Sequence, residues 1–422
     1  MPESGFFTGN AVYVGKIYYI CKDFWVFANK MSNKHNIIMA KRFLNVKLFL
    51  AVSLALLGST AAVEASLQLP PDGEVPQDEE GKMNTVSSEV LPLRGGDGGG
   101  LLGELADRIQ VHGYMQGGFN YNHANGTDQN TFELKRSIFW INGQVTDRWS
   151  FQFMHDFSSE VLEYFTDYRL TQNKALTVRI GQFKNGLTIE NPLSPTAMEA
   201  IDVYSEGVTY LSGCGSDPLM GRQTGRDLGL SLYGETNDGK LRYEVQVMNG
   251  QGINRKDGNA EKDFIGRLEY RPVTGLNLVA TGQIGRGHAV ATSLYNPTIA
   301  VGENYKRNRW SAGFDYKSRG LNLHGEWLEG WDGKARSRGG YLTGNVPLGT
   351  SKVDLVGSYD YFNFNTDLHM HQHKAIAGLQ YWFYKKCRIQ LQYVYKNAST
   401  AGGQFHHCAN HAVMCQMQIR FN

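Results

Sequence analysis

The sequence predicts a closed, all-β transmembrane barrel: antiparallel, up-and-down, with about sixteen strands. Three observations carry this reading. From Arg108 to the end the apolar period is two, the links between apolar-alternating runs switch between tight turns and longer loops, and Met39 to Ala65 has the layout of a secretory signal. Composition agrees, because 49 Gly, 22 Tyr and 21 Phe against 11 Pro suit pleated, aromatic-rich strands joined by turns.

Taken in order, residues 1–38 precede the signal, which points to Met31 or Met39 as the start and makes 1–38 an upstream extension. Residues 39–65 form the signal peptide. Lys41, Arg42 and Lys47 lead into an apolar run, Leu48 to Leu57, with cleavage expected after Ala62 or Ala65. That run is far shorter than the roughly 20 residues a membrane-crossing helix needs. Residues 66–107, rich in Pro, Gly and acidic side chains, read as a flexible leader. Its glycine run is no phosphate loop, because no GK[ST] follows.

Residues 108–422 form the barrel domain. Its strands are expected at 108–122, 131–145, 148–157, 161–170, 175–183, 225–235, 240–250, 262–271, 275–286, 304–317, 320–331, 335–347, 351–361, 373–384, 387–397 and 411–421. TDR, TQNK, TNDG, PVT, SRG, PLG and YKK are the tight turns. NHANGTDQN, the stretch after Phe183, NGQGINRKDGNA, GHAVATSLYNPTIAVGEN and ASTAGGQFHHCAN are the long loops.

Each strand has one apolar and one polar face: Leu228, Leu230 and Leu232, or Ile389, Leu391, Tyr393 and Tyr395, alternate with residues such as Arg388, Gln390 and Gln392. A ring in a bilayer requires this, with apolar side chains turned to outer-membrane lipid, polar ones to a water-filled bore, and no unpaired edge. The closing run AVMCQMQIRFN ends the ring and places Phe421 next to last. A near-terminal aromatic is characteristic of bacterial outer-membrane barrels, where it serves the assembly machinery. Both charge signs are spread along the chain, with a net charge of +2, so a nucleic-acid-binding surface is not expected. Cys214, Cys387, Cys408 and Cys415 follow the signal in no recognisable disulfide spacing.

FELKRSIFWINGQVTDRWSFQFMHDF (132–157), EYFTDYRL (163–170), VRIGQFKNGLTIE (178–190) and GRDLGLSLYGE (225–235) together resemble the phosphate-selective porin O and P family. The resemblance implies a sixteen-stranded homotrimeric porin with a third external loop folded inward as a constriction, and basic residues lining a path for small anions or polar solutes. The family's basic pair falls on Lys135 and Arg136, its aspartate on Asp156, the GQFK lysine on Lys184, and Arg226 on the later strand. Asn185 and Gly186 stand where the family usually has a proline after that lysine.

Alternation puts Arg136 and Asp156 on the lumen side, whereas Lys135 shares the apolar parity of Phe139 and Ile141 and is expected at the outer rim. Parity adds Arg179, Arg242, Arg267, Arg307 and Arg309 to the lumen, and Arg222 belongs to the expected inward loop, 184–224. That loop also carries Glu190, Glu199, Asp202, Glu206 and Asp217, which weigh against phosphate selectivity because fixed charge in a narrow pore decides which ion enters. A mild anion preference is expected. The competing expectation is that the lumen charges pair across the wall and hold the barrel's shape.

His369, His371 and His373 recur at every second position and are metal-ligand candidates, with His406, His407, Cys408 and His411 nearby in sequence. No cofactor is expected. A barrel lipase would need a nucleophile paired with a base, and no GxSxG occurs. A structural or adhesive barrel plugged by the 66–107 leader is the other alternative.

Overall fold

A strand that turns an apolar face to hydrocarbon can satisfy its backbone there only if both edges are paired, so such strands must close into a ring. The computed structural model describes residues 108–421 apart from 125, 218, 350–351 and 400–409, and it shows that closure. The elements are β1 (Ile109–Ala124), β2 (Thr127–Thr146), β3 (Trp149–Asp156), β4 (Val161–Arg169), β5 (Thr177–Lys184), α1 (Glu206–Leu211), β6 (Ser216–Asp217), β7 (Gly221–Arg222), β8 (Arg226–Glu235) and β9 (Leu241–Met248). They continue with β10 (Asp263–Val273), β11 (Leu276–His288), β12 (Asn304–Ser318), β13 (Leu321–Asp332), β14 (Ala335–Pro347), β15 (Val353–Asn365), β16 (Met370–Tyr384), β17 (Cys387–Ala398) and β18 (Asn410–Phe421). All but β6 and β7, which pair with each other, form the 16-stranded antiparallel ring. β18 closes it against β1, in a register running from Gly113↔Phe421 to His123↔His411.

The alternation of the sequence becomes an inside-out distribution of side chains. Leu230, Val245, Leu268, Trp310, Trp327, Leu342, Leu379 and Met417 are exposed, while Gln246, Arg267, Thr281, Arg309, Glu326, Gln390 and Gln418, one residue out of phase, are buried. Arg or Lys on the lipid side at the bilayer midplane would cost about 2–4 kcal/mol, so the polar face belongs to the bore.

Some strand ends run further than the pattern predicts. The β1–β2 hairpin continues through NHANGTDQN to leave only 125–126 as its link, because Tyr121 Oη and His123 Nδ1 hold Asp128 Oδ1 at 3.0 and 2.5 Å and carry the ladder outward. The links 333–334 and 366–369, also at the long-loop end, are short for the same reason: the strands reach past the bilayer. One parity expectation fails. Gln116 pairs with Arg136 but Gly117 with Leu134, so Lys135 is an extra residue in a β-bulge and does not follow the outward phase of Phe139. Its Nζ lies 3.5 Å from Asp202 Oδ1 and 3.4 Å from Glu133 Oε1 instead of at the outer rim.

The segment 185–225 between β5 and β8 is the long connection that matters most. Gly181, in the GQFK run before it, has φ 136, and a Cβ there would sit 2.2 Å from Tyr164 O, so only glycine fits between β4 and β5. After β5 the chain loses its period of two and is held by strand side chains of the polar face. Gly186 N donates to Gln246 Oε1 (2.8 Å), Ile189 N to Glu326 (2.9 Å), Ile201 N to Gln392 Oε1 (2.9 Å), and Glu199 O accepts from Gln390 Nε2 (2.9 Å). Ser205 caps α1 by accepting from Val208 N, and Val208, Tyr210 and Leu211 pack with Leu187, Leu328, Tyr341, Phe362 and Phe364. This packing buries an apolar cluster against β13, β14 and β15 and fixes the segment to those strands.

Candidate functional site

The expected lumen arginines fall into two groups. In the first, each guanidinium meets a carboxylate. Arg179 is bidentate to Asp167 (Nε–Oδ1 2.7 Å, Nη2–Oδ2 2.8 Å), and Arg226 Nη2 reaches Glu163 Oε1 at 2.9 Å. Glu269 gathers three: Arg267 Nε at 2.8 Å, Arg271 Nη2 at 3.4 Å and Arg242 Nε at 3.8 Å. Arg307 pairs with Asp263 and donates to Gly250 O (2.7 Å), and Arg309 pairs with Asp332 (3.1 Å). Four of them also hold the 185–225 segment: Arg267 through Gly186 O (3.0 Å), Arg226 through Thr224 O (3.1 Å), Arg309 through Leu211 O and Arg307 through Met220 Sδ. Pairs this buried rigidify the wall, since removing one partner strands the other charge away from water.

The second group has no carboxylate within ion-pair distance among the described residues. Arg136 Nη1 donates to Gln116 Oε1 (3.0 Å), Lys184 Nζ to Leu193 O (2.6 Å), Arg388 Nη2 to Met198 O (2.6 Å), and Arg420 Nη1 to Thr196 Oγ1 (2.9 Å). Gln116 Nε2, 3.4 Å from Pro195 O, completes a ring of contacts around residues 193–198. Arg388 is buried, whereas Arg136, Lys184 and Arg420 are half-buried. The strand pattern places Arg388 in the lumen, but no local pattern places it beside residues 193–198. Arg420 was missed, although its polar parity within AVMCQMQIRFN marked it as lumenal.

Each acidic side chain described in the 185–225 segment faces a basic or histidine partner. Glu190 Oε1 lies 3.2 Å from His324 Nε2, Glu199 Oε2 3.8 Å from His324 Nδ1, and Asp202 faces Lys135. Glu206 takes Lys374 (3.1 Å) and Lys396 (2.9 Å). Burial alone would lift the Glu206 carboxyl, but the two ammoniums hold it at about 2. Wall carboxylates without a cation, such as Glu326 and Glu244, are buried and hydrogen-bonded, to Tyr341 Oη (3.2 Å) and Ser231 Oγ (2.8 Å) respectively.

The remaining candidates do other work or lie apart. Asp156 accepts from Ser137 N (3.0 Å), Ser158 N (3.0 Å) and Ser158 Oγ (2.7 Å), closing the β3–β4 turn. Arg222 lies on β7, and its side chain is outside the described residues, as are Asp217's side chain and all of His406, His407 and Cys408. His371 and His373 stand on the outward face of β16 with rings 5.8 Å apart, the latter 2.7 Å from Tyr359 Oη, while His369 occupies the turn before it. Among the described residues no cluster of three ligands could hold a metal ion. Cys214, Cys387 and Cys415 are free thiols, and burial pushes Cys214 up to about 12.

A family model described as phosphate-selective porin O and P matches residues 109–330. No curated protein matches the chain. Among solved structures it is similar to an anion-selective porin from Comamonas acidovorans (13% identity, TM-score 0.54, 74% of this chain and 99% of that one). It is also similar to the outer membrane channel DcaP of Acinetobacter baumannii (12% identity, TM-score 0.52, 74% and 97%). A third neighbour is OmpT of Vibrio cholerae in a trimer form (12% identity, TM-score 0.50, 74% and 99%). At these identities the likenesses speak to the fold.

Proposed function

The chain belongs to the phosphate-selective porin O and P family, and from that premise we propose that this bacterial outer-membrane porin is a narrow, anion-preferring channel working without chemistry or cofactor. The observation that supports the preference is the half-buried set Arg136, Lys184 and Arg420, none with a carboxylate partner among the described residues, beside residues 193–198. Fixed charge at a constriction sets which ion sheds water there most cheaply. In this reading the 185–225 segment lies in the bore as that constriction, and the paired arginines are its scaffold. Its contacts run from Gln246 on β9 to Gln392 on β17, on distant parts of the ring, which favours a bore for small ions over one for large solutes.

The signal at 39–65 would deliver the chain for export, and a homotrimer is proposed after the Vibrio cholerae neighbour. The test is chloride current through the folded protein in a planar bilayer as inorganic phosphate is added. Phosphate should reduce the current, and Arg136→Gln with Arg420→Gln should weaken that block. The near-complete burial of Gln390, Gln416 and Gln418 on the polar face favours a second reading, a barrel plugged by 185–225 instead of by the leader. A plugged barrel would carry no current in the same bilayer.

A further inference from the structure

The lipid-facing side of the barrel is not uniform. At the long-loop ends of β11, β12 and β14 it carries Arg286, Lys306, Arg336 and Arg338. Their phase is set by outward-facing neighbours on the same strands: Ile284 on β11, Trp310 on β12 and Leu342 on β14 are all exposed. Arg286 and Lys306 are direct cross-strand partners, an arrangement in which like charges repel. Arg286 is drawn toward Glu261 at 3.1 Å, an exposed pair of little strength. Arg336 takes Glu329 and lies over Trp331, its guanidinium carbon 5.6 Å from the ring centroid. Arg338, directly opposite Glu329, therefore finds that carboxylate occupied. Lys306 and Arg338 are exposed and have no side-chain hydrogen bond or ion pair among the described residues.

Just below these cations, the outward positions of β12 and β13 hold Trp310 and Trp327, both exposed. Tryptophan collects at the headgroup level of a membrane, so the basic residues above it stand where lipid phosphates lie, and long loops mark that end as the outer surface. The opposite sector differs. At the loop ends of β2 and β3, Phe132, Leu134 and Phe157 face outward, and the nearby Lys135 turns to Asp202.

We propose that the outward face of β11–β14 is a docking surface for a phosphate-bearing glycolipid of the outer leaflet, with Lys306 and Arg338 as its principal phosphate contacts and the tryptophans against the lipid body. The phosphate would sit between cations that otherwise repel one another, and its acyl chains would continue down the apolar face. This surface lies on the other side of the wall from the anion path and is independent of it.

The test is native mass spectrometry of the folded barrel in detergent, with a bis-phosphorylated glucosamine lipid, its dephosphorylated counterpart, or inorganic phosphate as probe. The phosphorylated lipid should be retained, the dephosphorylated one should not, and Lys306→Gln with Arg338→Gln should weaken retention by about tenfold or more. Lys306→Arg should preserve binding, and the ion selectivity of the double variant should equal that of the parent, which separates this surface from the bore. Equal retention of both lipids, or undiminished binding by a double variant that still runs as a folded barrel on an unboiled gel, would overturn the proposal. Displacement of the lipid by millimolar inorganic phosphate would overturn it as well, since the surface would then be a free-anion site.

Discussion

The two sides of the bore use the same residue type for different ends. Along β8 to β13, arginines such as Arg267, Arg307 and Arg309 are buried against Glu269, Asp263 and Asp332, so their charge is spent within the wall. Around β1, β2 and β18 and the end of β5, Arg136, Arg420 and Lys184 meet only neutral oxygens of side chains and backbone. A count of lumen arginines therefore says little about selectivity, because a paired charge holds shape and an unpaired one acts on ions.

The largest expected effect lies on the paired side. Arg307→Ala would leave Asp263 buried with Gln283 as its remaining side-chain donor (2.6 Å), and breaking such a pair costs about 3–5 kcal/mol. The denaturant midpoint of the folded barrel in vesicles should fall accordingly.

Next comes the latch of α1. Held at about 2 by Lys374 and Lys396, against 4.5 for an ordinary glutamate, Glu206 contributes roughly 3 kcal/mol. The folded carboxyl titrates lower than the unfolded one, so this contribution is complete above about pH 4.5 and is lost as pH falls toward 2. Glu206→Gln should remove this part of the acid sensitivity. Equal resistance of the 185–225 segment to protease at pH 3 and pH 7 in the parent would count against the latch.

A smaller change in energy, but the one that bears on selectivity, is Lys184→Glu. A unit charge at contact distance is worth about 1 kcal/mol even at water's dielectric, so inverting one should shift the anion-to-cation permeability ratio by about tenfold or more. The paired arc supplies the contrast, because Arg271→Gln should move that ratio very little. The smallest effect is chemical: with its thiol raised to about 12, Cys214 should resist maleimide at pH 8 until the barrel is boiled.

Much of the fold was legible in the chain, because a strand between lipid and water must alternate and a change of phase shows at once. The ends of β8, β12, β14 and β17 lie within a residue of where alternation puts them. Lys135 was misplaced because a bulge adds one residue without altering composition. The 127–130 extension of β2 looks like loop in sequence because its polar residues stand beyond the apolar band, where alternation no longer has to satisfy lipid. Parity could find which arginines face the bore, but the partner that neutralises Arg307 is Asp263, two strands away, and no local pattern encodes that distance. The path of 185–225 was hidden for the same reason, since it has no period and takes its shape from Gln246, Glu326 and Gln392 on strands far along the chain.

The most direct measurement is the zero-current potential of the refolded mature protein across a planar bilayer in a KCl gradient. Uncompensated cations beside residues 193–198 predict a potential of the sign given by chloride passing more readily than potassium, reduced or reversed by Lys184→Glu. An open channel with a potential of the opposite sign, or one that Lys184→Glu leaves unmoved, would contradict the account.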